Sequence, residues 1–199
     1  DREEVDPRSL KLMLDMMAEA LATGFVLVQG LLGGMGVVLL YIATPQDNAS
    51  LLRVYSPIAS DMQKAMIFLT CLALVGALEK WSKDQMAGWL LRGRRQQALD
   101  GGLVLLYSVA FIFSLLCAWT DDLMRASDRR SPEYYRMPLG PAFASRLALW
   151  RGLHAARCVC CILAWVLVAL ETRSYPHNAP NYALHQVYRK LFGSEAPPV

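Results

Sequence analysis

Charged residues are absent from long stretches of this chain and crowd the segments between them. No Asp, Glu, Lys or Arg occurs between Glu19 and Asp47, a run of 27 positions. A second run, Gly101 to Thr120, has 20 uncharged positions, and Ala65–Leu78 and Cys158–Leu170 have 14 and 13. A bilayer core of about 30 Å takes about 20 helical residues, so the first two runs are long enough to cross one unaided. The two shorter runs must recruit flanking residues, some of them charged. The pattern predicts four spans at residues 20–43, 59–80, 100–120 and 147–171. The alternative for the short runs, buried helices of a soluble core, fits poorly beside two full-length spans.

Around the spans the period changes to that of surface helices. Leu10, Met13, Leu14 and Met17 recur at helical spacing before the first span, with Pro7-Arg8-Ser9 as a helix start. They predict a helical extension of that span or an interfacial helix ahead of it. Trp81 and Trp89, mixed with Arg92, Arg94 and Arg95, predict a short amphipathic helix anchored on the membrane's inner surface between spans two and three. In the tail Leu184, Val187, Tyr188 and Leu191 form a small amphipathic stripe. The fold class is thus an all-α membrane protein: a four-transmembrane-helix bundle with short amphipathic interfacial helices. Residues 1–19 are its N-terminal segment, 20–171 its membrane domain and 172–199 its tail.

Composition agrees. Of 199 residues 55% are apolar and 19% charged, against about 25% charged in soluble proteins, and mean hydropathy is +0.28. No signal peptide is visible, and the start at Asp1 instead of Met suggests an excerpt of a longer protein. Eleven Lys and Arg flank the membrane on the side of the termini and the middle loop, against six on the other side. That bias puts both termini in the cytoplasm. Asn48-Ala49-Ser50, a glycosylation acceptor pattern, falls on the outer side close to the membrane. A net charge of +3 gives little reason to read the Arg92-Gly93-Arg94-Arg95 cluster as a nucleic-acid site.

Two features carry candidate chemistry. The first span holds five glycines in 13 residues, and Gly30, Gly33 and Gly34 are its candidate packing face, with Gly30 and Gly34 in a GxxxG. In lipid, apolar burial gives no preference for protein over acyl chains, so small residues let helices approach and pack, within the chain or against a partner. The fourth span is too short to avoid Arg151, His154 and Arg157. A charge at mid-membrane costs roughly 2.5–3.5 kcal/mol on insertion scales. Arg151 or Arg157 is therefore expected to pair with Asp61, Asp121 or Asp122 at the outer ends of spans two and three. The rival reading is that these arginines snorkel to the surface. The five cysteines all lie inside spans and lack zinc-site spacing, and no Ser/His/Asp or paired-carboxylate arrangement occurs. The sequence argues for no enzyme and no cofactor. The third loop, with Ser131-Pro132-Glu133-Tyr134-Tyr135, is either a docking surface or a structured cap.

Several ordered segments resemble the transmembrane protein 237 family of ciliary transition-zone proteins. They are Gln29-Gly30-Leu31-Leu32-Gly33-Gly34, Tyr55-Ser56-Pro57, Ala77-Leu78-Glu79-Lys80, Leu105-Leu106-Tyr107-Ser108 and Ala164-Trp165-Val166-Leu167-Val168-Ala169. The resemblance covers about residues 18–173; Gln29 stands where the family usually has histidine, and loops and tail diverge, as in a remote homologue. It implies a non-enzymatic four-span protein of the ciliary or flagellar membrane. Such proteins assemble with other integral membrane proteins and with cytoplasmic scaffolds bearing coiled coils or C2 domains, and support ciliogenesis and the transition-zone barrier. An auxiliary subunit of a ciliary channel or of a flagellar-surface anchoring complex is the second reading, and a small transporter the third.

Overall fold

The computed structural model describes residues 7–43, 47–86, 94–131, 134–136 and 140–174. Among these residues every regular element is helical: α1 (Pro7–Ala43), α2 (Asn48–Tyr55), α3 (Ala59–Met86), α4 (Arg94–Arg130) and α5 (Pro141–Ser174), with a 3₁₀ turn at Tyr134–Arg136. Four helices contain stretches long and apolar enough to cross a membrane, Met16–Ala43, Ala59–Ser82, Ala98–Arg130 and Pro141–Leu170. At 1.5 Å per residue the 37 residues of α4 extend about 55 Å, well beyond a bilayer core of about 30 Å. The chain divides into two units, residues 28–167 and the flanks 1–27 with 168–199. In the flanking unit, α1 leaves Met13, Met16, Met17 and Leu21 exposed. The first helix is thus continuous from Pro7, the helical extension that was one of the two expectations.

The helix ends follow from local chemistry. Proline opens both α1 and α5, where its missing N–H removes a donor that has no partner in any helix. The Gly140 carbonyl accepts the N–H groups of Phe143 and Ala144, closing the first turn of α5. Asp47 precedes α2 in an extended conformation, and its carboxyl is held below the usual range chiefly by the Ser50 hydroxyl. The Ser56 N–H caps α2 by donating to Leu52 O at 3.1 Å. Pro57 follows and, having no N–H to donate, helps separate α2 from α3. The short amphipathic helix thus lies between the first two spans, with Leu51, Leu52 and Tyr55 buried and Arg53 exposed. Of the segment expected to carry an inner surface helix, the residues up to Met86 continue α3 and those from Arg94 open α4, and residues 87–93 lie outside the described residues.

In the unit 28–167 the buried positions keep a strict register. Those of α4 are Asp100, Leu103, Tyr107, Ala110, Ser114, Cys117, Asp121 and Met124, in alternating steps of three and four. Leu147, Trp150, His154, Arg157, Cys161 and Ala164 repeat the pattern on α5, and Ala59, Gln63, Met66, Thr70, Ala73 and Ala77 on α3. This 3.5-residue period is that of helices packed side by side at shallow angles. Lys80 Nζ lies 3.2 Å from the buried Asp100 at one end of the α3–α4 pair. At the other end the Ser60 hydroxyl donates to Asp122 at 3.2 Å.

The glycines of α1 divide between a side that meets α5 and a side open within the chain. A Cβ at Gly33 would lie 2.7 Å from Cβ and Cγ of Trp165 on α5, and one at Gly36 3.2 Å from the Cys158 carbonyl. At Gly30 the nearest neighbour is Trp165 Nε1 at 3.8 Å, and at Gly34 nothing lies within 4 Å. The face against α5 is therefore Gly30–Gly33–Gly36, and the GxxxG partner Gly34 points away from it. Successive residues turn 100°, so positions three apart stay within 60° of one another, whereas Gly34 is a full 100° from Gly33. Gly33→Ala is expected to lower stability by about 1–3 kcal/mol through overpacking. Gly34→Ala should leave the melting temperature of the purified protein unchanged or slightly raised. Equal effects of the two variants in a thermal melt would contradict this assignment.

Candidate functional site

Four buried polar side chains of unit 28–167 meet in one place. Asp121 of α4, His154 and Arg157 of α5 are each 0% exposed, and Gln63 of α3 is 3% exposed. Each sits at an inward position of its helix register, so the packing that buries the apolar seam buries them too. Asp121 Oδ1 accepts the indole N–H of Trp150 at 2.9 Å. Arg157 donates from one terminal nitrogen to Gln63 Oε1 and from the other to His154 Nδ1, the latter at 2.7 Å. The Gln63 amide then donates to the Ser114 backbone carbonyl on α4. Three helices are thereby joined by a chain of polar contacts through their interior.

An aromatic lid closes the cluster. Tyr55, the last residue of α2, lies 5.0 Å from the ring of Trp150 and 5.6 Å from that of His154, which itself lies 4.5 Å from Trp150. Burial, reinforced by nearby Asp121, pushes the Tyr55 phenol well above its ordinary range, so it stays neutral. One residue further on, the Ser56 and Tyr134 hydroxyls are 2.6 Å apart, tying the end of α2 to the 3₁₀ turn of the third loop. At Tyr134 this loop is a structured cap.

Among the acidic residues weighed as partners for an arginine, Asp121 is the one at the centre, with Oδ2 3.9 Å from Arg157. Asp61 is exposed and 4.0 Å from Arg125, and Asp122 takes the Ser60 hydroxyl. Arg151 is half-buried, one turn away from the cluster. Sequence reasoning passed over Gln63, Trp150 and Tyr55. For Trp150 the signal was positional, since it shares the inward stripe of α5 with His154 and Arg157; Gln63 and Tyr55 share no inward stripe with a residue that was singled out. Asn48 is the exposed first residue of α2. Trp81 is partly exposed near the end of α3, Trp89 and Arg92 fall outside the described residues, and Arg94 and Arg95 open α4. Among the described residues, no group of three His, Cys, Asp or Glu could hold a metal ion.

The arrangement holds charge out of contact with solvent; it presents no nucleophile beside a base. Removing one partner should be costly, because a buried charge left alone loses about 3–5 kcal/mol of compensation. Arg157→Met and Asp121→Leu are each expected to lower the melting temperature sharply, and the double variant Asp121→Leu/Arg157→Met to recover much of the loss. Strict additivity in a double-mutant cycle would show that the two groups do not interact. Asp61→Asn should fall within about 1 kcal/mol of the parent, as for an exposed pair.

Comparison with known proteins bears on identity. No curated protein and no solved structure matches the chain. The family model described as transmembrane protein 237 matches residues 21–174, a stretch that includes most of the first span, the other three spans and the whole polar cluster. Membership fits a membrane protein of the ciliary transition zone. The chain belongs to the transmembrane protein 237 family.

Proposed function

We propose that this protein is a non-enzymatic structural and assembly subunit of a ciliary or flagellar membrane complex, supporting ciliogenesis and the transition-zone barrier. Its four helices form one membrane domain over residues 20–171, with the N-terminal segment and tail both on the cytoplasmic side. The observation that carries this reading is the division of labour between inside and outside. The interior charges engage one another and are sealed, with Asp121, His154 and Arg157 at 0% exposure. The outward positions are apolar, Leu31, Val38, Tyr41, Phe68, Val75, Leu105, Ile112, Leu115 and Leu116 among them. A transporter needs the reverse, ionisable groups lining a path to water. A sealed bundle with apolar flanks suits contacts with lipid and with other integral membrane proteins, made through van der Waals packing.

The Arg157 cluster supports the role indirectly. It holds the ends of α2, α3, α4 and α5 in register, and with them the α2–third-loop cap that a partner outside the bilayer would meet. The charge-pairing set proposed for this purpose is Arg157 with Asp121. Gly34 and the basic segment from Trp81 to Arg95 are left for partner helices, lipid headgroups or cytoplasmic scaffolds. Affinity purification of the tagged full chain from ciliated cells in mild detergent tests the reading. The expected result is co-purification of other integral membrane proteins in fixed proportion, with loss of ciliary localisation when Arg157 is replaced by Met. Recovery of the chain alone, with normal cilia in cells lacking it, would reject the assembly role.

A further inference from the structure

Several buried atoms of the polar cluster, His154 Nε2 and Arg157 Nε among them, are left without a hydrogen bond by its direct contacts, and two of these atoms lie at one junction. Asp121 Oδ2 has no partner, and neither has the Tyr55 hydroxyl. The side chains of Asp121 and Arg157 are fully buried, and Tyr55 is 1% exposed. Asp121 Oδ2 lies 3.9 Å from the nearest Arg157 nitrogen. A charge-assisted N–H···O bond spans about 2.7–2.9 Å, so this pair is not in direct hydrogen-bond contact. The Tyr55 phenol neighbours both the carboxylate and the guanidinium. An unmatched buried donor or acceptor carries a penalty of about 1–3 kcal/mol, more when charged, and two at one junction in a membrane protein's interior call for a common partner.

We propose that an ordered water molecule occupies this junction and bridges Asp121 Oδ2, the Arg157 guanidinium and the Tyr55 hydroxyl, making the buried ion pair a water-mediated one. The chemistry selects water over other small ligands. The site offers a strong acceptor, a strong donor and a hydroxyl able to act as either, within the two to four partners that a buried water uses. The carboxylate and guanidinium carry opposite charges, so a bound ion would gain from one and lose to the other, whereas a neutral molecule with both donors and acceptors satisfies each. The separation of 3.9 Å suits a single bridging oxygen. Trp150, tilted, and His154, edge-on, pack against the Tyr55 ring and keep it over the junction. Gln63 occupies one of the terminal guanidinium nitrogens, and His154 the other. The water therefore links α2 to the α4–α5 pair, which the direct contacts of the guanidinium do not.

Two measurements test this on the full chain. In a structure determined in lipid at a resolution that shows ordered water, a peak is expected about 2.7–3.2 Å from Asp121 Oδ2, with the Tyr55 hydroxyl and an Arg157 nitrogen as its other neighbours. A direct Asp121–Arg157 or Asp121–Tyr55 bond with no peak overturns the proposal. So does a peak that gives an anomalous signal after soaking with bromide or rubidium, since that marks an ion. Tyr55→Phe keeps the ring packing and removes only the bridging hydroxyl. It is expected to lower the melting temperature by about 2–4 °C, the shift given by loss of one hydrogen bond in a chain of this size. An unchanged melting temperature overturns the proposal as well.

Discussion

A guanidinium inside an apolar bundle is the constraint around which this molecule is organised. In a low-dielectric interior a charge interacts strongly with whatever lies beside it, and leaving it unmatched is expensive. Arg157 is fully buried, and its terminal nitrogens reach Gln63 and His154, with Asp121 the nearest counter-charge. Those contacts come from three different helices, and Tyr55 adds a fourth element from α2. Packing of apolar side chains in lipid specifies helix partners weakly, because acyl chains are as apolar as leucine. Polar groups that must meet specify them well. The register of α3, α4 and α5 is thus set at one level of the bundle by hydrogen bonding and extended along the helices by steps of three and four.

The first helix is held by another means. Gly33 and Gly36 allow its backbone to approach Trp165 and Cys158 on α5 closely, and a side chain there would collide. Shape therefore does for α1 what charge does for the other helices. Together the two devices turn the reactive groups inward and leave an apolar exterior. That arrangement is coherent with a family whose members sit in the membrane of the ciliary transition zone, and it underlies the assembly role proposed for this chain.

Much of the architecture is legible in the sequence because the bilayer imposes its thickness on charge spacing. The gap between Glu19 and Asp47 and the run Gly101–Thr120 each declare a span without reference to packing. The short run Cys158–Leu170 is informative for a different reason: its brevity forces Arg157 into the membrane and so predicts a partner. Which partner was not legible. Asp61, Asp121 and Asp122 lie near the same end of the bundle, and only the rotation of α4 decides between the last two, turning Asp121 inward and Asp122 outward. The same kind of ambiguity attends the glycines. GxxxG names two residues on one face, but five glycines in 13 residues offer several faces, and α5 packs on the one spaced by three. Gln63 escaped notice because an amide within an apolar span has no motif; its role depends on a residue 94 positions away. The helix α2 was hidden in a loop, where eight residues give too little periodicity to read.

The central claim is that the charged cluster is sealed from water on both sides of the membrane. Two native thiols report on it, since Cys117 and Cys158 are buried and both lie beside Arg157, whereas Cys71 is exposed on the outer surface of α3. The direct test is labelling of the full chain in sealed vesicles of either orientation with a membrane-impermeant maleimide. The account predicts that Cys117 and Cys158 stay unmodified until the protein is denatured, while a lipid-soluble maleimide reaches Cys71. Modification of Cys117 or Cys158 from the aqueous phase of folded protein would reveal a water path to Arg157 and contradict it.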